Sequence, residues 1–398
     1  MSTWLLVSGD FTPFGGMDMA NFALASYLAR TGSDVHLVCH QASPELATLP
    51  GVHVHVVARP LGIHRLGEPL LRSTARRVHR NLTPRGCRVV TNGGNADLHD
   101  VNWVHYVHGA FDPPAFGVAN RLRVASNQRR YVAEEREALG NARLVVCNSN
   151  RTADDVVNLV GVARDRTRVV YYGIDPLRFG RVEAGERAAA RRALGFPAAR
   201  RLALFVGALG DRRKGFDTLF GAWQTLCDRP EWDVDLVVVG MGAELGTWQA
   251  RAARELPADR VRFLGFRRDI PSILAACDVL IHPARYEAYG LSVHEALCRG
   301  LPAIVTATAG VAERYPAELN QLLLQDPESS SELAARLQSW RDEPGVNGRV
   351  ADFAARLRAR TWDHMAREIV ELAWVGGDEV PGDEVRGDDG DGGDEGNG

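Results

Sequence analysis

The chain has 398 residues, 45% of them hydrophobic and 24% charged, with a formal net charge of −3. This length favours two domains over one, and the composition is typical of a globular protein and excludes a fibrous or wholly disordered one. No apolar stretch approaches the roughly 20 residues that span a bilayer. The start of the chain lacks the charged leader of a signal peptide, so we expect a cytoplasmic protein.

The end of the chain differs in composition from the rest. Residues 376–398 contain nine acidic side chains, a single basic one, Arg386, and almost no apolar ones. Such a segment cannot bury a core, so we expect a disordered acidic tail. Without it the body carries a charge of about +5, which is mildly basic and well short of a nucleic-acid-binding surface. We therefore expect no nucleic-acid partner.

Short apolar runs alternate with helical stretches along the body, a pattern typical of parallel βαβ units. A first series of apolar runs lies at residues 4–7, 35–39, 52–57, 89–91, 101–107, 144–147 and 169–172. A second series lies at residues 202–206, 234–239, 261–264, 279–281, 303–305 and 322–324. We predict an α/β protein with two Rossmann-like doubly wound domains, residues 1–175 and 176–375, facing a central cleft beyond the carboxyl ends of their strands. The last helix, near residues 362–374, is expected to close the second domain.

The first loop with a distinctive sequence is GDFTPFGGMDMANFALASYLA, residues 9–29. It reads as a strand end, a double glycine and a helix start. Gly15 and Gly16 permit a turn too tight for residues with side chains. The loop is therefore either a plain turn or a place where a ligand approaches the backbone.

Two histidines end a predicted strand in VNWVHYVHGAF, residues 101–111. His105 and His108 are three residues apart and have no partner at zinc-ligand spacing, so we expect no metal there. A histidine at the end of a strand is usually a hydrogen-bonded structural residue. From the residues alone, a catalytic role for either remains the less favoured interpretation.

A basic loop follows the first strand of the second series, in FVGALGDRRKGFDTLFGAW. After Gly207 it carries Arg212, Arg213 and Lys214, whose charges could neutralise a diphosphate. Lys214 is followed by glycine instead of serine or threonine, so this is not a Walker loop.

The most informative stretch is CDVLIHPARYEAYGLSVHEALCRGLPAIVT, residues 277–306. A helix predicted to start near Leu291 would present the free amides of Gly290, Leu291 and Ser292 to an anion. Glu295, one turn into that helix, could accept hydrogen bonds from a ribose diol. Glu287 lies in the loop before it. Taken alone, both glutamates would more simply be interpreted as solvated charges on an ordinary loop and helix.

Glu287 and Glu295, with the helix start between them, resemble the E-x7-E motif of the family 4 retaining glycosyltransferases, which have the GT-B fold. The resemblance extends to Lys214-Gly, to the double-glycine loop, whose form is similar to that of lipopolysaccharide core glucosyltransferases, and to residues 134–156 and 168–175. It covers nearly the whole body. One departure is Ala208, which stands where the family has arginine.

The resemblance assigns roles to particular positions. It implies catalytic roles for the charged residues and the histidine that match the family's motifs, namely His108, Glu287, Lys214 and Arg213, with His105 still possible in place of His108. It implies donor binding by residues on both sides of the cleft: Gly16, Gly207, Arg212, Arg267, Tyr289, Gly290, Leu291, Ser292 and Glu295. Because of Ala208, either Arg212 or Arg213 would supply the second positive charge.

The function implied is retaining transfer of a hexosyl group from a UDP- or GDP-sugar to a glycan, lipid-linked or small-molecule acceptor. No cofactor and no metal are expected, since basic groups and helix amides can stabilise the departing diphosphate. Two alternatives remain: a nucleotide-sugar epimerase of the same fold, and an inactive relative that only binds a glycan or nucleotide.

Residues 65–88 carry seven arginines along a partly amphipathic helix. The simplest interpretation is a solvated surface helix. The alternative is a face that binds an anionic membrane or a phosphorylated acceptor, which would place the protein at the inner face of the membrane.

Overall fold

The structure is a computed structural model that describes residues 2–113, 118–343 and 345–375. The predicted acidic tail, residues 376–398, lies outside the described residues. Among the described helices, none has the length and apolar character needed to cross a membrane.

The N-terminal domain is built on a parallel sheet of seven strands in the order β5-β3-β1-β6-β7-β8-β9, and a separate pair, β2 and β4, lies beside it. The strands are β1 Thr3–Val7, β2 Asp10–Phe11, β3 Asp34–Cys39, β4 Gln41–Ala42, β5 Val52–Val56, β6 Arg88–Thr91, β7 Val101–Val104, β8 Leu144–Cys147 and β9 Thr167–Val169. All five residues of β1 are buried, as expected for a central parallel strand covered by helices on both faces. The covering helices are α1 Gly16–Arg30, α2 Pro44–Ala47, α3 His64–Leu82, α4 Val118–Asn141 and α5 Asn150–Asp155.

The C-terminal domain has a six-stranded parallel sheet in the order β12-β11-β10-β13-β14-β15. Its strands are β10 Arg201–Val206, β11 Val234–Val239, β12 Val261–Gly265, β13 Val279–His282, β14 Ala303–Thr306 and β15 Leu323–Leu324. Its helices are α6 Glu186–Leu194, α7 Phe216–Cys227, α8 Leu245–Glu255, α9 Ile270–Ala276, α10 Leu291–Cys298, α11 Ser330–Asp342 and α12 Val346–Arg358.

In each sheet the chain reverses its direction of travel across the sheet once. The reversal lies between β1 and β6 in the first domain and between β10 and β13 in the second. Loops diverge at such a switch point and leave a crevice at the carboxyl ends of the strands. The double-glycine loop follows β1, the basic loop follows β10 and the Glu287 loop follows β13, so topology alone brings these three loops to the crevices.

The chain crosses between the domains twice, and the two crossings lie side by side. Ile174 pairs with Thr361 in an isolated parallel bridge, and the Ile174 amide donates to the carbonyl of Arg360 at 3.0 Å. A Cβ atom at Gly173 would lie 2.2 Å from the Thr361 carbonyl carbon. Only glycine therefore allows the two crossings to approach this closely.

The last helix, α13 Trp362–Trp374, packs against the N-terminal domain, although the sequence division assigned it to the C-terminal one. Its buried face, which includes Met365 and Ile369, joins the same apolar cluster as Trp4 and Leu24. The reason is geometric: the second crossing at Thr361 delivers the helix to the first domain, where its apolar stripe covers α1.

Polar contacts fix the two domains to each other beside the cleft. The Ser149 hydroxyl donates to the carbonyl of Ala288 at 2.6 Å, and the Val107 amide donates to the Tyr286 hydroxyl at 3.0 Å. Glu313 accepts from the amide of Arg151 at the start of α5, also at 2.6 Å. Each contact joins one domain to the other.

Candidate active site

A cleft of about 700 Å³ lies between the domains at the carboxyl ends of both sheets. It is lined by residues from the double-glycine loop, the basic loop, the Glu287 loop and the start of α10. The predicted site residues that line it are Gly16, Gly207, Lys214, Arg267, Glu287, Leu291, Ser292 and Glu295. Residues up to 279 positions apart in sequence are thus brought to one cavity.

The start of α10 forms an anion site at the floor of the cleft. Gly290 is the N-cap, with φ 106°, a left-handed conformation that favours glycine. A Cβ atom there would also lie 3.0 Å from Val311. The amides of Leu291 and Ser292 in the first helical turn have no intrahelical acceptor, so they and the helix dipole favour a negatively charged ligand.

Lys214 and Glu287 form an ion pair at the same end of the cleft. The Lys214 Nζ donates to Glu287 Oε2 at 2.7 Å, and His282 Nε2 lies 2.8 Å from the same oxygen. Burial alone would raise the pKa of Glu287, but the Lys214 charge and the hydrogen bonds from His282 and Lys214 hold it well below its usual range. Burial lowers the pKa of His282, which favours the neutral form of the imidazole beside the ionised carboxylate.

His282 was not singled out from the sequence. It is the last residue of β13, five positions before Glu287, and it is almost fully buried. A histidine that ends a buried strand just before a site loop was the available signal. Its role is to orient Glu287, and its own position is fixed by the strand.

Glu295 lies one turn into α10 and is half-buried against the cleft. No described residue donates a hydrogen bond to its carboxylate. Burial raises the pKa of Glu295 to about 8, and the charge of Arg178 only partly opposes this. A half-buried carboxylate without a partner is costly, so a ligand that donates hydrogen bonds to it would remove an existing penalty.

The three neighbours of the basic loop point in different directions, because they form a tight 3-10 turn, Arg212–Lys214. Lys214 lines the cleft. Arg213 pairs with Asp211 at 3.1 Å, and its guanidinium lies 5.5 Å from the ring centre of Tyr106. Arg212 is exposed and pairs with Asp217 at 3.2 Å, outside the cleft lining.

Two further predicted residues contact protein groups. The Tyr289 hydroxyl lies 2.8 Å from His294 Nδ1, and the buried ring packs 4.8 Å from that of Tyr172. Tyr289 therefore supports the start of α10 from behind. The side chain of Arg267, which lines the cleft, pairs with Asp269 at 2.8 Å.

The two histidines after β7 line a second cavity of about 310 Å³ in the N-terminal domain. His105 is buried between Asn92 and Tyr172, and burial lowers its pKa to about 3. His108 is partly exposed, and its Nδ1 lies 3.1 Å from the buried carboxylate of Glu135. Neither histidine lines the 700 Å³ cleft, and His108 is the more accessible of the two.

Tyr106 connects the second cavity to the basic loop. Its ring lies 5.2 Å from that of His108 and 5.3 Å from that of Tyr286, and Arg213 lies over its face. Tyr106 was not predicted from the sequence, because a tyrosine between two histidines at the end of a strand has no distinctive spacing. Tyr106 therefore joins the smaller cavity to the basic loop, whose Lys214 lines the cleft.

The top of the cleft is spanned by a contact between the domains. The guanidinium of Arg268 lies 5.3 Å from the ring centre of Phe14, and both residues line the cleft. Three large apolar side chains that line the cleft are about half exposed or more: Phe14, Met241 and Phe266. Exposed apolar groups inside a cleft are suited to stack on a flat ring.

The cleft therefore suits a ligand that carries a negative charge next to groups that donate hydrogen bonds. Lys214 and the α10 amides can stabilise negative charge on a departing group. Glu295 can hold a diol, and the apolar wall can hold a base. All of these groups line one cleft between two doubly wound domains.

The architecture is that of the GT-B glycosyltransferases, as predicted. The chain is similar to WaaG, a glycosyltransferase involved in lipopolysaccharide biosynthesis, with a TM-score of 0.74 and 22% identity over 94% of this chain and 100% of that one. It is also similar to sucrose-phosphate synthase from Thermosynechococcus elongatus, with a TM-score of 0.73 and 22% identity over 94% and 98% of the two chains. These similarities establish the fold.

The family follows from two domain matches that together cover most of the body. Residues 14–178 match Glycosyltransferase Family 4, and residues 186–358 match Glycosyl transferases group 1. The chain belongs to the glycosyltransferases of this group 1 and family 4 type, which confirms the prediction from its motifs.

Curated relatives agree. The chain is 29% identical to D-inositol 3-phosphate glycosyltransferase from Xylanimonas cellulosilytica over 90% of this chain and 91% of the relative. It is 29% identical to the enzyme of that name from Corynebacterium urealyticum over 69% of this chain and 66% of the relative.

Proposed function

We propose that the chain transfers a hexosyl group, with retention and without a metal ion, from a UDP- or GDP-sugar to a glycan, lipid-linked or small-molecule acceptor. The observation that carries this proposal is one cleft that combines the unpartnered Glu295 carboxylate, the open amides of α10 and Lys214. Each of these groups matches a different part of a nucleotide sugar.

The diphosphate would lie against the start of α10. Bond cleavage at the sugar builds negative charge on the departing diphosphate while the sugar acquires oxocarbenium character. The amides of Leu291 and Ser292 are fixed in place by the helix, so they stabilise this charge without reorganisation. Lys214 adds a full positive charge. Burial alone would lower the pKa of Arg213, but the charge of Glu287 helps to raise it.

Glu295 would accept hydrogen bonds from the ribose diol, and the base would pack against the apolar wall near Phe14 and Phe266. Solved GT-B structures give independent support for such a donor: Anabaena HepE was crystallised with UDP and glucose. That protein is only 21% identical to this chain, so its bound UDP does not decide between UDP and GDP here.

Glu287 is not suited to donate a proton, because Lys214 and His282 hold its carboxylate in the ionised form. It flanks a phosphate-binding helix start instead of a scissile bond, so the two glutamates are not a glycosidase pair. We assign Glu287 to positioning Lys214 and contacting the donor sugar. Retention would follow from attack on the face that the leaving group departs from, as in the family that the chain resembles.

The acceptor would enter from the N-terminal domain, where the 310 Å³ cavity carries His108 and Glu135. The relatives named for inositol 3-phosphate support a small polyhydroxylated acceptor. His108, oriented by Glu135, is the side chain there that we assign to contact with a reacting sugar.

Peripheral membrane binding is part of the proposal and has its own support. The segment that leads into α3, and the first turns of α3, expose the apolar side chains Leu61, Ile63, Leu66 and Leu70. Arginines flank them along the same helix. Cosedimentation with vesicles of anionic lipid, lost at high salt, would support this part, and equal binding to neutral vesicles would contradict it.

The first test is the thermal shift produced by UDP, GDP and ADP and their common sugar conjugates, since a ligand that binds the native state stabilises it. One base should give a clear shift that is lost in Glu295→Ala. The competing epimerase would consume the donor and release free nucleotide without any acceptor. An inactive relative would bind nucleotide or glycan and turn over neither.

The stereochemistry is tested separately. Proton NMR of the product formed from an α-linked donor should show an α-linked sugar, and an inverted product would contradict retention. Activity that survives exhaustive treatment with a chelator would support a metal-independent reaction, whereas loss that added Mg²⁺ or Mn²⁺ restores would contradict it.

A further inference from the structure

A cluster of three histidines and one aspartate lies on β3 and β5, at one edge of the N-terminal sheet and outside the lining of the cleft. Asp34 is the first residue of β3, and His36 follows two positions later. On the edge strand β5, His53 and His55 are likewise two positions apart. Side chains alternate between the faces of a strand, and the register pairs His36 with His53, so all four share one face.

The spacing of the polar atoms fits a small cation. His53 Nε2 lies 2.9 Å from one oxygen of Asp34, and His36 Nε2 lies 3.5 Å from the other. One ligand atom from each of Asp34, His36 and His53 lies within 4.8 Å of the others. Ligands of a tetrahedral zinc ion, at about 2.0–2.2 Å from the metal, are separated from one another by about 3.4 Å. Only a small rotation of a side chain is therefore needed to bring the three ligand atoms to the spacing found around zinc.

The hydrogen bonding of His36 leaves one ring nitrogen available. Its Nδ1 lies 3.0 Å from His55 Nε2, whereas its Nε2 is buried without a hydrogen-bond partner among the described residues. Metal-binding histidines commonly use one ring nitrogen as ligand while the other bonds to a neighbour that fixes the ring. His55 is in the position of that neighbour. A cation at Nε2 would satisfy a buried nitrogen that makes no hydrogen bond among the described residues and has only the Asp34 carboxylate nearby, at 3.5 Å.

The rings of His36 and His53 already lie against each other. His36 and His53 stack with ring centres 4.6 Å apart and planes 23° apart. The side chain of His53 is half exposed, so it can turn toward a metal ion at little cost. We infer that Asp34, His36 and His53 form a binding site for a divalent transition-metal ion such as Zn²⁺, with His55 positioning His36 and water completing the coordination.

One neighbouring group opposes binding. The guanidinium of Arg85 lies 3.5 Å from Asp34 Oδ2, and its side chain is 64% exposed. Its charge weakens the attraction of the site for a cation, but its exposure lets it move into solvent when a metal binds. None of the four cluster residues lines the cleft, so the effect of the metal would be to hold the edge strand β5 against β3.

The test is isothermal titration of the metal-stripped, untagged full chain with ZnCl₂, followed by absorption spectroscopy of the Co²⁺ complex. We expect one ion per chain, an intense visible spectrum of tetrahedral Co²⁺, and binding at least about tenfold weaker in His53→Ala. The control is His99→Ala, which removes an exposed histidine bonded only to a backbone carbonyl and should leave binding unchanged.

Arg85→Ala gives a second, independent readout, since it should tighten binding by removing a competing charge. A gain in affinity cannot come from a folding defect. The absence of saturable binding, or binding that His53→Ala leaves unaltered, would overturn the inference, as would weaker binding in Arg85→Ala.

Discussion

The Nζ atom of Lys214 lies 2.7 Å from Oε2 of Glu287, and this contact joins the loops that follow β10 and β13. These are the two strands between which the C-terminal sheet reverses its direction. The ion pair therefore lies at the switch point of the sheet, beside the proposed phosphate site. The side chains of both residues are mostly buried, at 17% and 13% exposure, so neither charge is well solvated without the other.

Removing the lysine should affect both activity and stability. In Lys214→Met we expect kcat/KM to fall by about 10²–10³, the loss typical of a single group that stabilises developing negative charge. Glu287 would keep its hydrogen bond with His282 but lose its ion-pair partner, and removing one partner of a buried ion pair costs about 3–5 kcal/mol. Urea denaturation and steady-state kinetics measure the two effects, and Lys214→Arg should retain most of the stability. Unchanged kcat/KM in Lys214→Met would contradict the assigned role.

The depressed pKa of Glu287 predicts a loss of stability in acid. The folded pKa lies below the unfolded value of 4.5, so ionisation of Glu287 stabilises the fold above that pH and the contribution disappears as the pH falls below it. We expect the free energy of unfolding to decrease more steeply below pH 4.5 in the native sequence than in Glu287→Gln. If the two proteins lost stability in parallel as the pH falls, the pKa of Glu287 would not be depressed in the folded state.

Glu295 has the opposite behaviour, since burial raises its pKa to about 8. The folded state binds this proton more tightly than the unfolded state, so its contribution to stability is present below pH 4.5 and is lost as the pH rises toward 8. Donor binding to the carboxylate should then release a proton at pH 7. Calorimetry in buffers of different ionisation enthalpy measures that release, which should be absent in Glu295→Gln. Binding without proton release in the native sequence would exclude the contact with the ribose.

The two arginines before Lys214 provide a matched pair. Arg213→Ala should lower kcat/KM by at least about tenfold, because Arg213 interacts electrostatically with Glu287, lies over the ring of Tyr106 and has a mostly buried side chain. Arg212→Ala should change it little, because Arg212 is exposed and pairs with Asp217 at the surface. The reverse order of effects would mean that Arg212 turns into the cleft when the donor binds.

The double crossing between the domains is tested by adding one methyl group. Gly173→Ala would place a carbon atom 2.2 Å from the Thr361 backbone, so we expect a destabilisation of about 2 kcal/mol or more and a lower Tm. Gly348, inside α12, has open space around it. Gly348→Ala should be neutral or stabilising by up to about 1 kcal/mol. Equal Tm values for the two variants would show that the crossings are free to separate.

Most of the fold could be predicted, because a parallel strand covered on both faces must be a short apolar run. The run at 234–239 corresponds to β11 without any shift. The apolar run predicted to end at residue 107 forms a strand only as far as Val104. Beyond it, His105 bonds to Asn92 and the Val107 amide donates to the Tyr286 hydroxyl instead of to a neighbouring strand. The cleft residues were found because topology places the loops that follow strands at one edge.

What could not be predicted depends on direction and register. An amphipathic pattern shows that α13 buries one face, but it does not show which domain covers that face. Three consecutive basic residues follow Asp211, and their sequence alone does not show which of their side chains lies in the cleft. The histidines of β3 and β5 become neighbours only through strand pairing, which short-range spacing does not contain.

The place of α13 bears on how the chain reaches its native state during synthesis. The first domain lacks part of its core until Met365, Ile369 and their neighbours have left the ribosome, nearly 200 residues after its own last strand, β9. Until then, the surface of α1 that these residues cover remains exposed to water and to other chains. A fragment that ends at residue 175 should therefore aggregate, and joining it noncovalently with a peptide of residues 361–375 should restore its solubility.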